Sequence, residues 1–512
     1  SDLRAWQDAS QEGRVASTGA MERAVQSFFS MQLGVAGKSL DRAWLSVLGI
    51  PDSQQDEALE VLRWSMEVEE RVFRTDGVRV RGRVFSFYPG ARKSGSVSPE
   101  TRRESGKQGA DEQQEEESES NGESFEVEMS LIRRGDGRVL EQSALTAQRL
   151  KLIPGKEWEV DFGRLAEGDY SLRCSVVGKT IASGGADLEW ICPAISVVDQ
   201  LPERLVKVEQ FLAQKRPSTK EAGGDSVAGS GWSTARHLGR EFVKACKGNS
   251  FETDLPWAQW LGDFEQIIAP KSAGNAAAVD ASEVEQFSEE ALETRFGEWS
   301  HRAGTKWMQL SRGKGTQIVR LEVPDLSEGD ASKKRPVLIA LHGAGGSENM
   351  FFETYGAGRL VSLSRERGWI VVSPRQSMLG FGGGGLGLDV RSILEVLETV
   401  LPIDRERVFL VGHSMGAAQA IAQVSKSPEE IRGVAALGGG GSVRDSAPLR
   451  RIPFWVGAGD RDFGKAGAKG LSQQLKRLGC EATYREYADV EHMVIVQAAL
   501  DDVFAFFDSK LN

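Results

Sequence analysis

A short segment near the C-terminal end constrains the fold of this 512-residue chain more than any other feature. Residues 408–418 read VFLVGHSMGAA, in which an apolar run predicts a buried strand and the small residues after the serine predict a helix. So abrupt a passage from strand to helix holds Ser414 in a strained conformation, with its hydroxyl projecting above the sheet. Gly412 and Gly416 fit this turn, because a Cβ at either position would collide across it. The segment therefore predicts a serine nucleophile at the edge of a sheet.

The residues around this segment predict an α/β domain with a doubly wound, mostly parallel sheet. Short apolar runs, each typical of a strand, alternate with segments of helical pattern. These predicted strands are residues 305–310, 316–323, 337–341, 431–437, 453–457 and 482–487.

Two further side chains supply what a serine nucleophile needs. His492 follows the predicted strand 482–487 and is the expected base that takes the serine proton. Asp460 lies just past the strand 453–457 and is the expected acid that fixes the imidazole tautomer and stabilises the imidazolium. Asp462 lies two residues further on and is the alternative acid, with Asp460 preferred. The chain order serine, acid, histidine is that of one class of triad enzymes.

A glycine-rich turn at residues 342–346 supplies the fourth part of the predicted site. It follows a buried strand, so its backbone N–H groups can face the space above Ser414. We expect the N–H groups of Ala344 and Met415 to form an oxyanion hole. His342 is expected to support this turn, and His413 is expected to pack beside the serine.

Several motifs carry a resemblance to a known family. They are LHGAGG at residues 341–346, LDVRSILEVL at 388–397, PIDRERV at 402–408, and the serine turn. Together they resemble the α/β-hydrolase superfamily, in its esterase branch of polyhydroxybutyrate depolymerases and feruloyl esterases. The PIDRERV motif is also similar to prolyl oligopeptidase-like serine peptidases. The resemblance implies hydrolysis of small-molecule or polymeric carboxylic esters through an acyl-enzyme, with no metal and no organic cofactor.

The sequence departs from this pattern at two places, and two other functions stay open. Residues 377–387 are glycine-rich where aromatic residues are usual, which predicts a mobile or tightly folded loop rather than a rigid aromatic platform. The acid motif also lacks the usual preceding histidine. One alternative is a prolyl oligopeptidase-like peptidase with the same triad. The other is a hydrolase-fold binding protein that no longer turns over substrate.

The length predicts several domains. Residues 1–76 have helical spacing, including residues 57–72, and we expect a helical module there. From residue 77 the apolar period changes to two, which predicts a small immunoglobulin-like β-sandwich over 77–190 with a disordered acidic insertion at 91–124. Residues 191–303 are expected to form a helical connecting region, with a Gly/Ser linker at 220–231 and tryptophans that pack a domain interface. The α/β domain occupies 304–512.

Composition limits the partners of the chain. The net charge of −11 argues against nucleic acid or an anionic membrane, and no apolar stretch is long enough to span a bilayer. The four cysteines form no metal motif; Cys174 and Cys192 either pair under oxidising conditions or remain free thiols. Whether the chain has protein partners is unknown from the sequence. The chain begins at Ser1, which leaves the compartment open, with a secreted or periplasmic location favoured over a cytoplasmic one.

Overall fold

A computed structural model describes residues 9–88, 124–135, 138–139, 147–180, 187–190, 192–215, 229–248, 255–268, 289–313, 315–326, 333–376 and 387–511. The predicted acidic insertion, apart from residue 124, lies outside these residues. So do residues 377–386 of the predicted glycine-rich loop and residues 220–228 of the predicted linker.

The N-terminal region begins with a hairpin of two long helices. Helix α1 (Gln11–Phe29) and helix α2 (Leu33–Val47) are joined by a three-residue turn, and helix α3 (Asp52–Leu62) follows. The side chain of Ser10 caps α1 by accepting the N–H of Gly13 at 3.0 Å. Small buried side chains let the two long helices approach closely; these are Ala20, Ala24, Ala36 and Ala43.

The predicted helix over residues 57–72 is wrong beyond Leu62. Strand β1 (Trp64–Val68) replaces its second half, and strand β2 (Val72–Arg74) follows. The side chains of Trp64, Met66 and Val68 are buried at every second position, because β1 pairs antiparallel with a neighbouring strand over five residues. The period-two alternation of residues 64–68 therefore predicts the structure there better than the helical spacing of the residues before it.

The β region consists of two sheets that share one core. Its remaining strands are β3 (Arg79–Ser86), β4 (Phe125–Gly135), β5 (Arg138–Val139), β6 (Ala147–Leu152), β7 (Glu157–Asp161), β8 (Gly168–Thr180), β9 (Asp187–Trp190) and β10 (Ala194–Val198). The first sheet has the order β1-β3-β7. The second has the order β2-β10-β8-β4-β5, with β6 on β4 and β9 on β8. The immunoglobulin-like class of the β region stays a prediction.

Two cysteines of this region were candidates for a disulfide. Cys174 is buried and Cys192 is half-buried, and both are free thiols.

In the described part of the segment between this region and the C-terminal domain, the helices are α4 (Leu201–Ala213), α5 (Ser230–Cys246), α6 (Trp257–Ile268) and α7 (Glu289–Ser300). Their buried aromatic residues form one core with the C-terminal sheet. The rings of Trp260 and Trp307 meet across this boundary with centroids 5.2 Å apart. The predicted role of the tryptophans in domain packing thus agrees with their position.

The C-terminal domain is built on an eight-stranded sheet. Its strands are β11 (Gly304–Arg312), β12 (Gly315–Val323), β13 (Arg335–Leu341), β14 (Ile370–Pro374), β15 (Ile403–His413), β16 (Gly433–Leu437), β17 (Phe454–Gly459) and β18 (Ala482–Tyr487). Their order is β11-β12-β14-β13-β15-β16-β17-β18. Strand β12 runs antiparallel to both of its neighbours, β11 and β14, and the last six strands run parallel to one another. The predicted doubly wound, mostly parallel sheet is confirmed.

Helices cover both faces of this sheet: α8 (Arg359–Glu366), α9 (Val390–Glu398), α10 (Met415–Lys426), α11 (Lys465–Arg477) and α12 (Ile495–Asp508). Successive residues of the central strands are buried on opposite faces of the sheet, in two different cores. Ile339 and Leu410 belong to the core that includes the connecting helices, whereas Leu338 and Phe409 belong to the core beneath α8 and α12. Side chains buried on both faces explain why these strands read as continuous apolar runs. Within the described residues, no helix combines the length and apolarity needed to cross a bilayer.

Candidate active site

Ser414 occupies the sharp turn between β15 and α10. Its backbone angles are φ 55° and ψ −116°, a conformation that costs a non-glycine residue of the order of 1–3 kcal/mol. The turn is held by close backbone contacts. A Cβ at Gly412 would lie 2.2 Å from the carbonyl oxygen of Gly416, and a Cβ at Gly416 would lie 1.9 Å from that of Leu341. The two glycines are therefore required by sterics, as the sequence predicts.

A chain of hydrogen bonds links Ser414 to a histidine and a carboxylate. The hydroxyl of Ser414 donates to Nε2 of His492 at 2.8 Å. The Nδ1–H of His492 donates to Oδ1 of Asp462 at 2.7 Å. Ser414 is half-buried, whereas His492 and Asp462 are 3% and 4% exposed. The imidazole and the carboxyl group are thus almost completely screened from solvent.

The structure corrects the preferred acid. Asp460 does not contact His492; its Oδ1 accepts the N–H of Val490 at 3.3 Å. Asp462 occupies the place expected for Asp460, because the chain turns after β17 and a hydrogen bond from the N–H of Gly464 to Oδ1 of Asp462, at 2.6 Å, aims the carboxylate inward. The other oxygen, Oδ2, is buried and has no hydrogen-bond partner among the described residues.

The two predicted oxyanion donors lie on elements that flank Ser414. Met415 is the first residue of α10, so its N–H has no acceptor within the helix. Ala344 lies in the turn after β13 and is partly exposed. The neighbouring Gly343 is close to the serine, since a Cβ built there would lie 3.4 Å from Cβ of Ser414. Their use as an oxyanion hole remains a prediction that this arrangement permits.

A comparison with protein families identifies the domain that carries this site. Residues 338–507, about a third of the chain, match the model of the alpha/beta hydrolase family. The match begins in β13, includes the Ser414 turn and ends in α12. The C-terminal domain is an α/β-hydrolase domain.

Solved structures similar to part of this chain include a thermostable esterase (18% identity, 40% of this chain, 63% of that chain, TM-score 0.35). They also include a ferulic acid esterase from Anaeromyces mucronatus (20% identity, 40% of this chain, 90% of that chain, TM-score 0.34). A third is an S-formylglutathione hydrolase from Agrobacterium tumefaciens (19% identity, 41% of this chain, 95% of that chain, TM-score 0.32). The alignment thus spans less than two thirds of the thermostable esterase. No curated protein matches the chain.

The hydrolase domain also contains a buried hydrogen-bond network that the sequence analysis missed in part. His413 donates from Nε2 to the carbonyl oxygen of His492 at 2.8 Å, and its Nδ1 accepts the Tyr355 hydroxyl proton at 2.7 Å. The Tyr355 oxygen in turn accepts the N–H of Gly343 at 3.3 Å. Burial lowers the pKa of His413 to about 3, so the ring is neutral. Its Nε2 therefore carries the proton and donates, and its Nδ1 accepts. The network ties the glycine-rich turn to the loop that carries His492.

His342 supports the same turn from the other side, as predicted. Its Nδ1–H donates to the carbonyl oxygen of Gly343 at 2.8 Å, and its Nε2 accepts the N–H of Gln376 at 3.1 Å. Burial lowers the pKa of His342, which keeps the ring neutral and suits this pair of bonds.

Glu491, next to His492 in the sequence, is another buried residue near the site that the sequence did not indicate. It is 1% exposed and accepts the N–H groups of Met493 and Val494, both at 2.8 Å. These bonds fix the chain just after His492, where α12 is about to begin. A glutamate beside the predicted base is a weak sequence signal, because the backbone N–H groups that its side chain accepts are known only once the loop is folded.

Among the described residues, no group of three or more histidine, cysteine, aspartate or glutamate side chains could hold a metal ion. The arrangement at Ser414 can perform nucleophilic chemistry. It places a hydroxyl on an imidazole, the imidazole on a carboxyl group, and a helix N-terminus beside the place where negative charge would develop.

Proposed function

We propose that this chain is a serine hydrolase that cleaves carboxylic esters through an acyl-Ser414 intermediate. The observation that carries the proposal is the continuous relay of 2.8 Å and 2.7 Å from the Ser414 hydroxyl through His492 to Asp462. A serine hydroxyl is a poor nucleophile at neutral pH unless a positioned base takes its proton during attack, and this relay supplies that base.

The proposed reaction has two halves. Oγ of Ser414 attacks the ester carbonyl carbon while its proton passes to Nε2 of His492, and the N–H groups of Met415 and Ala344 bind the resulting oxyanion. When the tetrahedral intermediate collapses, the C–O bond to the alcohol breaks and His492 returns the proton to the leaving oxygen. Water then repeats these steps on the acyl-enzyme, releasing the acid and restoring Ser414. Asp462 holds the tautomer and stabilises the imidazolium.

The first test is covalent labelling of the folded protein by a fluorophosphonate probe, with hydrolysis of p-nitrophenyl acetate measured in parallel. We expect the wild type to be labelled at Ser414 and to hydrolyse the ester. Ser414→Ala should lose both signals, and its unchanged melting temperature would exclude misfolding. Folded wild-type protein that neither labels nor turns over would contradict ester hydrolysis. Methyl ferulate and a dipeptide amide in the same assay would show whether feruloyl esters or peptides are substrates.

A further inference from the structure

The hairpin of α1 and α2 is docked beside Ser414, although it lies nearly 400 residues away in the sequence. The hydroxyl of Thr18 donates to the carbonyl oxygen of Asp489, three residues before His492, at 2.7 Å. Glu22 forms a two-pronged ion pair with Arg461, with both N–O distances 2.8 Å, next to Asp462. Helix α1 is thus attached to both loops that supply the histidine and its acid.

The C-terminal end of α1 brings two phenylalanines to the same place. The ring of Phe29 contacts that of Phe463 edge-on, with centroids 6.2 Å apart. The ring of Phe463 lies against the His492 imidazole at a tilt of 33°, with centroids 3.8 Å apart. The ring of Phe28 lies against the glycine-rich turn, 3.5 Å from where a Cβ of Gly345 would be. Phe28 and Phe29 contact each other at 5.7 Å. The three rings therefore run from the glycine-rich turn to the catalytic imidazole.

These rings are unusually open for side chains of their size. Phe28 and Phe29 are each 46% exposed, and Phe463 is 63% exposed. Exposed apolar residues that cluster mark a binding surface more often than isolated ones do. The guanidinium of Arg461, two residues before Phe463, is paired with Glu22. The exposed surface of the three rings thus suits an apolar group.

We propose that Phe28, Phe29 and Phe463 form an aromatic subsite that binds the apolar acyl chain or aryl ring of the ester substrate beside Ser414. The inference rests on the proposed esterase function and assigns part of its specificity to the N-terminal hairpin. Phe463 forms the part of the subsite next to the imidazole, and Phe28 and Phe29 extend it outward from the reacting carbonyl. Esters with longer apolar groups contact the two outer rings, whereas an acetyl group is too short to reach them.

The test compares p-nitrophenyl acetate with p-nitrophenyl octanoate for the wild type and for Phe28→Ala/Phe29→Ala. Each CH₂ that loses an apolar contact costs about fourfold in binding. We therefore expect kcat/KM for the octanoate to fall about tenfold or more, mainly through KM, while that for the acetate changes less than about threefold. Phe28→Leu/Phe29→Leu should restore most of the octanoate activity. The matched control is Phe85→Ala, which removes a 43%-exposed phenylalanine from β3 and should change neither ester.

The outcomes separate the subsite from the catalytic proposal. If the wild type labels with the fluorophosphonate and cleaves the acetate, but the double variant keeps the octanoate-to-acetate ratio, the subsite is refuted and the esterase stands. An equal loss for both esters also refutes it, because the rings would then serve only to hold the hairpin. Binding of the wild type to phosphatidylcholine vesicles, lost in the double variant with an unchanged ester ratio, would assign the rings to a lipid surface instead. Absence of labelling and of turnover in folded wild type removes both proposals.

Discussion

Asp462→Asn and Asp460→Asn form a matched pair that tests the acid of the relay. The two residues are separated by one position, and the same substitution removes one negative charge from each. The Asp462 carboxylate accepts the Nδ1–H of His492, whereas the Asp460 carboxylate accepts a backbone N–H at 3.3 Å on the edge of the same loop. Only the first change should therefore remove a charge that stabilises the imidazolium formed during attack.

The size of the effect follows from the distance. Opposite unit charges 2.7 Å apart interact by about 6 kcal/mol at an effective dielectric constant of about 20. Each 1.36 kcal/mol in the barrier corresponds to a factor of about ten, so the full loss would approach about 10⁴-fold in rate. The amide oxygen of Asn can still accept the Nδ1–H and preserve the tautomer. We therefore expect Asp462→Asn to lower kcat/KM by about 10³- to 10⁴-fold.

Steady-state hydrolysis of p-nitrophenyl acetate and the rate of fluorophosphonate labelling measure this effect on two independent reactions. Asp460→Asn should stay within about threefold of wild type in both, because Asn can accept the same backbone N–H. Thermal unfolding of each variant checks that the loop is intact. A loss for Asp460→Asn equal to or greater than that for Asp462→Asn would refute the assignment and restore the acid that the sequence favours.

Two further predictions concern the buried groups that hold the site. Tyr355→Phe leaves Nδ1 of His413 and the N–H of Gly343 without a partner, and each such loss costs about 1–3 kcal/mol. We therefore expect a lower melting temperature and a reduced kcat. An unchanged kcat would show that the network does not position His492. Burial raises the pKa of Glu491 from 4.5 to about 7, so the folded state binds more protons than the unfolded state between these values. The stability that this group contributes is full below pH 4.5 and is lost as the pH rises through 7. The melting temperature should therefore fall over this range, and Glu491→Gln should flatten the fall; parallel curves for the two proteins would exclude Glu491 as the cause.

Much of the hydrolase domain could be predicted because its determinants are local. The apolar runs of the parallel strands, and the glycines that flank Ser414, each reflect a steric or burial requirement within a few residues. The choice between Asp460 and Asp462 could not be settled in this way. Both residues follow β17, and the decision depends on the turn that carries the N–H of Gly464 to Asp462. Spacing along a strand does not specify such a turn.

The helical prediction over 57–72 failed for a related reason. Leu59 and Leu62 have helical spacing, but Trp64, Met66 and Val68 alternate, and only pairing with β3 decides where one pattern ends. The N-terminal part of the chain gave no local sign of its position next to Ser414. Phe28 and Phe29 end helix α1, and in the sequence their apolar character is equally compatible with burial in a small helical core.

The loop that carries His492 explains why the N-terminal hairpin belongs to the active site rather than to a separate module. Its backbone is fixed by contacts from three parts of the chain: Thr18 on the carbonyl oxygen of Asp489, His413 on that of His492, and Glu491 on the N–H groups that precede α12. Asp489 itself has a φ of 55°, an uncommon conformation that such contacts must maintain. Because α1 holds the start of this loop and also carries Phe28 and Phe29, one helix supports the base and supplies the proposed aromatic subsite. Specificity and catalytic geometry are then coupled through the same helix.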